Sequence, residues 1–200
     1  TRVRSSAASD VYKRQAIYEG ADAVMLSAES AAGSYPIEAV STMNNVAVEV
    51  ESDPTYRDVI NASRGGDKQT VADAIVSAAR EIAETTDIQA ICCFSQSGTT
   101  ASLVARERPQ VPILGLTPVM RTARRLCLTW GIHCVPTGEV GRFKEAVLNA
   151  VAAAKSEGFA TEKDQIVVTA GVPFGQAGTT NILRVAPCDD RLIYPQDQND

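Results

Sequence analysis

The chain has 200 residues and a mass of 21.2 kDa, with 44% apolar and 22% charged residues, so it can bury a core without covalent staples. Twenty-four acidic residues against 19 basic ones give a formal charge of −5, which argues against a nucleic-acid partner. No apolar run reaches the ~20 residues that span a bilayer, no signal-peptide pattern opens the chain, and low-complexity runs are absent.

Residues 1–15 are polar and serine-rich, without a sustained period, and read as irregular. Regular text begins at Ala16. Ala23-Val24-Met25-Leu26 reads as a buried strand that ends in the small polar run Ser27 to Ser34. Pro36 suits the first turn of a helix whose apolar face is Ile37, Val40, Met43, Val46, Val48 and Val50, and Ser52-Asp53-Pro54 stops it. Residues 53–65 read as a linker, with Gly65-Gly66 near its end.

From about residue 66 the chain acquires a rhythm. Helices are expected over 70–86, 98–108, 119–130 and 142–156; strands over 88–94, 111–117, 132–136, 165–171 and 182–186. Strands alternating with helices of this length give an α/β fold with a mostly parallel five-stranded sheet. The strands are continuous apolar runs, which fits a sheet covered by helices on both faces. Only a loop separates the last two strands, so the final one is expected to be antiparallel, at an edge. The 16–52 strand-and-helix piece buries too little to stand alone.

Five cysteines, Cys92, Cys93, Cys127, Cys134 and Cys188, show no zinc spacing and read as reduced, mostly buried thiols of a cytoplasmic protein. No Ser/His/Asp set, Walker loop or metal-binding carboxylate pair is present, so no metal site is expected. His133 lies in a predicted strand as a packed or edge residue, and Trp130 reads as packing. Arg121, Arg124 and Arg125 share a helical turn and read as a solvated or interface face.

Three segments can carry chemistry. Ser95-Gln96-Ser97-Gly98-Thr99-Thr100 joins a buried strand to a helix, where unpaired amides and the dipole favour a phosphate. The bland alternative is helix capping by Ser97 or Thr99. The segment 171–180 follows another strand and has Gly171, Gly175 and Gly178, with Gln176 between them, as a second wall. Its bland alternative is a long hairpin connection. Ser27 and Glu29 end the first strand, in the manner of a barrel rim, or else serve to cap the next helix.

ADAVMLSAESAAGSYPIEAV (21–40), SQSGTTASLVARERPQVPILGLTP (95–118) and VTAGVPFGQAGTTNILRV (168–185) together resemble the pyruvate kinase family. The resemblance covers about residues 16–186, in order and spacing. It implies that 16–52 is the final βα unit of a catalytic TIM barrel and 66–200 the effector-binding domain of a C-terminal fragment. It also implies phosphoryl transfer from phosphoenolpyruvate to ADP in glycolysis, with Mg2+ and K+, in a cytoplasmic homo-oligomer, a tetramer when whole. Ser27 and Glu29 then match active-site rim positions, Ser95 to Thr100 the effector phosphate loop, and Gly171, Gly175, Gln176 and Gly178 a second effector loop. The catalytic lysine and the metal and monovalent-cation ligands of that family have no counterparts here.

Departures are Ala28 for glycine, Ser30 for threonine and Ser34 for lysine. Thr1-Arg2 fits the family, whereas Val3 to Gln15 does not and reads as non-native. Gln96 stands where sugar-bisphosphate-regulated members carry a basic residue, and Val172 replaces an aromatic. A sugar monophosphate, a nucleotide monophosphate and a bisphosphate all remain open as effectors. SQSGTT also resembles the phosphosugar loop of sugar isomerase (SIS) domains, but the 21–40 block has no place there. A stand-alone small-molecule-binding module is the remaining alternative. On the pyruvate kinase resemblance, the chain alone is expected to form no ATP from phosphoenolpyruvate and ADP with magnesium and potassium. Turnover by the purified chain in a coupled assay contradicts this.

Overall fold

Pro36 and Asp53-Pro54 set the helix starts of the first part of the chain. The structure, a computed structural model, describes residues 12–63, 70–176 and 179–194. Contacts divide the chain into two compact units, Thr1–Asp67 and Lys68–Asp200. The first contains α1 (12–18), α2 (Ala28–Ala31), α3 (Pro36–Glu51) and α4 (Pro54–Ser63). Pro36 occupies the first turn of α3, where its missing N–H is no loss. Val46 and Val50 of α3 pack with Ile17, Tyr56 and Ile60.

Three features differ from the sequence reading. Ala23–Leu26 form no strand, and Met25 is 81% exposed. A strand needs a hydrogen-bonding neighbour, and the described residues supply none there. Residues 12–15, read as irregular, are helical, and the Arg14 guanidinium lies 3.0 Å from the Glu49 carboxylate. Residues 1–11 lie outside the described part. Residues 54–63, read as linker, form α4: the Asp53 carboxylate accepts from the Thr55 amide at 2.8 Å, and Tyr56 and Ile60, one turn apart, are buried. Gly65-Gly66 lie outside the described residues. The expected apolar face of α3 is only half used, since Ile37 is 78% exposed while Met43 and Val46 are buried.

In the second unit the apolar runs become one sheet. Its strands are β1 (Ile88–Phe94), β2 (Ile113–Thr117), β3 (Ile132–Pro136), β4 (Gln165–Gly171) and β5 (Thr180–Pro187), in the order β3-β2-β1-β4-β5. β1 to β4 run parallel, and β5 lies antiparallel at the edge, as expected. The helices are α5 (Val71–Thr85), α6 (Thr99–Arg106), α7 (Met120–Leu126), α8 (Phe143–Ser156) and the unforeseen short α9 (Asp190–Ile193).

Adjacent strand residues serve opposite cores. Cys92 packs with Ala146, Val147 and Ala150 of α8, while Cys93 packs with Val76 of α5 and Val104 of α6. The alanine-rich text of α8 lets it lie close on the sheet. β3 is the other edge and only half-buried; its His133 pairs with Glu157 at 2.9 Å and sits against Phe159. Arg108 lies over the Trp130 ring, 4.7 Å from its centre. The five cysteines are free: Cys92, Cys93 and Cys188 are buried, Cys134 is half-buried and Cys127 is exposed.

Thr70 and Asp73 start α5 as a capping box. Thr70 Oγ1 accepts from the Asp73 amide at 3.1 Å, and the Asp73 carboxylate accepts from the Thr70 amide at 3.2 Å. Arg106 of α6 reaches the same carboxylate at 2.5 Å. The Arg106 guanidinium and the Thr70 hydroxyl hold the Asp73 carboxyl at about 2, against an ordinary 3.8. The folded state therefore binds this proton less readily than the unfolded chain. The stability it contributes is complete above pH 3.8 and is lost as pH falls toward about 2. Asp73→Asn is expected to flatten the melting temperature against pH across that window. Identical slopes in variant and parent contradict the assignment.

Candidate ligand cleft

β1 ends at Phe94 and α6 begins at Thr99, so Ser95 to Gly98 must turn the chain from strand to helix. Gly98 does this with φ of 83°, and it is the N-cap residue, without any side-chain cap bond. Capping by Ser97 or Thr99 was the bland expectation. Ser97 Oγ instead bonds Thr99 Oγ1 at 2.9 Å and meets only the Thr99 amide, at a long 3.4 Å. Ser95 Oγ accepts from the Gly98 amide at 2.9 Å, which fixes the turn. The next amides, of Thr100 and Ala101, have no acceptor within the helix by position.

α7 braces this loop from behind. Thr122 Oγ1 donates to the Gln96 carbonyl at 2.8 Å, and the Arg125 guanidinium donates to the Ser97 carbonyl. Arg125 was read as part of a solvated face; its three-residue spacing from Thr122 puts both on the side of α7 toward the loop.

The loop forms one wall of a cleft that is open to solvent. Ser95, Gln96, Ser97 and Thr100 line this wall. Gly171, Phe174, Gly175, Gln176, Thr179 and Thr180 line a second, and Gly138, Glu139 and Val140 a third. Among the described residues lining the cleft, Glu139 is the one charged side chain. The cleft lies beyond the carboxyl ends of β1 and β4, where the strand order reverses.

The second wall is closed at its neck. A Cβ on Gly171 would lie 2.6 Å from the Thr179 carbonyl oxygen, so only glycine lets the two legs approach. Asn181 braces the same point: its Oδ1 accepts from the Val172 amide at 2.9 Å and its Nδ2 donates to the Val172 carbonyl at 2.6 Å. Gly178 lies outside the described residues. Thr100 and Thr180, 5% and 2% exposed, share a hydroxyl hydrogen bond of 2.7 Å that joins the first wall to the second.

Ser27 and Glu29 belong to the first unit and are exposed. Glu29 accepts from the Ser27 amide at 3.1 Å and faces Lys13 at 3.9 Å. Backbone amides, its own and that of Ser27, hold its carboxyl below the usual range. Among the described residues, no group of three or more His, Cys, Asp or Glu side chains forms a metal site. No helix there is long and apolar enough to cross a membrane. Sequence reasoning missed Thr122, Glu139, Phe174 and Thr180. Thr122 and Glu139 sit outside the quoted motifs, Phe174 and Thr180 lie within the 168–185 motif without being singled out there, and only the fold brings Thr122 to the first loop and the other three to the cleft.

The second unit is a helix-covered, mostly parallel α/β sheet with a hydroxyl- and glycine-lined cleft where its strand order reverses. The chain belongs to the pyruvate kinase family: the family described as "Pyruvate kinase, alpha/beta domain" matches residues 73–186, more than half of its length. The chain is 44% identical over 171 residues to a pyruvate kinase of Methylorubrum extorquens, covering 86% of this chain and 36% of that protein. It is 39% identical over 189 residues to a pyruvate kinase of Geobacillus stearothermophilus, covering 94% of this chain and 32% of that protein. A pyruvate kinase of Clostridium acetobutylicum is 39% identical over 178 residues, 89% of this chain and 37% of its own length. The chain thus spans about a third of the length of these relatives.

At Gly98 a Cβ would meet Leu126 Cδ2 and Thr122 Cγ2 at 3.1 Å, on a backbone that L side chains rarely adopt. Gly98→Ala is expected to lower stability by about 1–3 kcal/mol. Denaturant unfolding with an unchanged midpoint contradicts this.

Proposed function

We propose that this chain is the effector-binding part of a pyruvate kinase, with Ser95 to Thr100 as the phosphate anchor. The whole enzyme moves a phosphoryl group from phosphoenolpyruvate to ADP, giving pyruvate and ATP, as a cytoplasmic homo-oligomer of glycolysis. Mg2+ and K+ serve that whole enzyme; the described residues here offer no ligand cluster, and no step through either ion is assigned to them. Ser27 and Glu29 belong on the rim of its active site, within the final barrel unit, 16–52. Residues 66–200 form the effector domain.

One observation carries the effector reading. α6 starts without a side-chain cap beside a cleft whose near wall is rich in hydroxyls. Hydrogen bonds to a charged group contribute about 1.5–3 kcal/mol each, so a few of them hold a phosphate. Gln96 supplies no positive charge, and Glu139 across the cleft opposes a second anion. The effector is therefore a monophosphorylated small molecule, a sugar phosphate or a nucleotide monophosphate. The segment containing Gly171, Gly175, Gln176 and Gly178 closes over its remainder.

Calorimetry of the full chain with glucose 6-phosphate, AMP and fructose 1,6-bisphosphate tests this. A monophosphate is expected to bind below millimolar and to compete well with the bisphosphate. Ser97→Glu sets a carboxylate at the start of α6 and is expected to weaken binding at least ~10-fold, with the melting temperature little changed. Absence of sub-millimolar binding by any of the three, or an unaltered affinity in Ser97→Glu, overturns the reading.

A further inference from the structure

Thr100 and Thr180 are 80 residues apart in sequence, and both line the cleft, nearly inaccessible, with their hydroxyl oxygens 2.7 Å from each other. Two hydroxyls bring two protons, and one hydrogen bond between them uses one. The second proton has no acceptor among the described residues, since each Thr hydroxyl has only the other as its partner. A buried O–H without an acceptor is costly, and this one lies beside the uncapped start of α6.

Resting on the phosphate reading above, we propose that Thr180 is a positioning residue that transmits occupancy of the phosphate loop to the neck of the second wall, at Gly171 and Val172. An anion at the amides of Thr100 and Ala101 takes the Thr100 hydroxyl proton as a hydrogen bond. Thr100 Oγ1 must then accept, and Thr180 must donate to it. Without an anion either hydroxyl can be the donor; with one, the direction is set and both protons are used. Thr180 is the first residue of β5, and its neighbour Asn181 clasps Val172 at the neck of the glycine-containing segment. Fixing Thr180 therefore fixes that neck, two residues or fewer from the bond that the ligand orders.

The test uses the full chain, inorganic phosphate and glucose 6-phosphate as probes, and the variants Thr180→Val, Thr180→Ala and Thr180→Ser. Val keeps the shape and removes the hydroxyl; Ala serves the same purpose should Val not fold; Ser restores the hydroxyl. Calorimetry is expected to show a loss of ~10-fold or more in affinity for both probes in Val or Ala, and a loss below ~3-fold in Ser. Hydrogen exchange at saturating glucose 6-phosphate is expected to show added protection at 171–176 and 179–181 in the parent and in Ser, but not in Val or Ala. A parent that binds while Val or Ala binds equally well, or gains the same protection, overturns this inference and leaves the phosphate reading intact. A parent that binds neither probe overturns both.

Discussion

β1 and β4 are hydrogen-bonded neighbours, yet the connections that serve them run on opposite faces of the sheet. α6 leaves β1 over the face covered by α5 and α7, and α8 approaches β4 over the other. Two connections that part in this way leave a gap beyond the strand ends that no side chain of the sheet itself can fill. The cleft, the exposed start of α6 and the looped segment after β4 all follow from that divergence. The strand order is in turn held by burial: Ile91, Cys92, Val167 and Val168 are inaccessible, so a one-residue slip of β1 on β4 would exchange their two cores.

The near side of the cleft is polar but uncharged. Its near wall offers backbone amides and hydroxyls, and the nearest guanidinium, Arg125, is spent on a carbonyl behind the loop. That arrangement keeps the site polar without lining it with cations. Glu139 on the third wall is the one charged side chain among the described residues that line the cleft. Supports outside the cleft set its shape: Thr122 and Arg125 hold the first loop, and Asn181 and the missing side chain of Gly171 hold the second.

The first unit behaves differently because its apolar surface exceeds its partners. Met25, Tyr35 and Ile37 are exposed, while the small cluster around Val50, Tyr56 and Ile60 carries the packing.

The sequence by itself determined the second unit to within a few residues at each element except the short α9. The strands at 88–94 and 165–171 stand where the apolar runs stand, because a strand buried on both faces has no polar positions to blur its ends. Pro36 marked a helix start for a similarly local reason: its fixed φ and missing N–H suit the first turn. The loop Ser95 to Thr100 was legible because strand, glycine, hydroxyls and helix follow one another in the chain. Tertiary structure decided the rest. Ala23–Leu26 failed as a strand because pairing is not a property of one segment, and 54–63 became a helix because Tyr56 and Ile60 found a shared surface. Thr180 and Glu139 reached the cleft, and Arg125 the back of its first loop, through the meeting of distant segments, which no local pattern records.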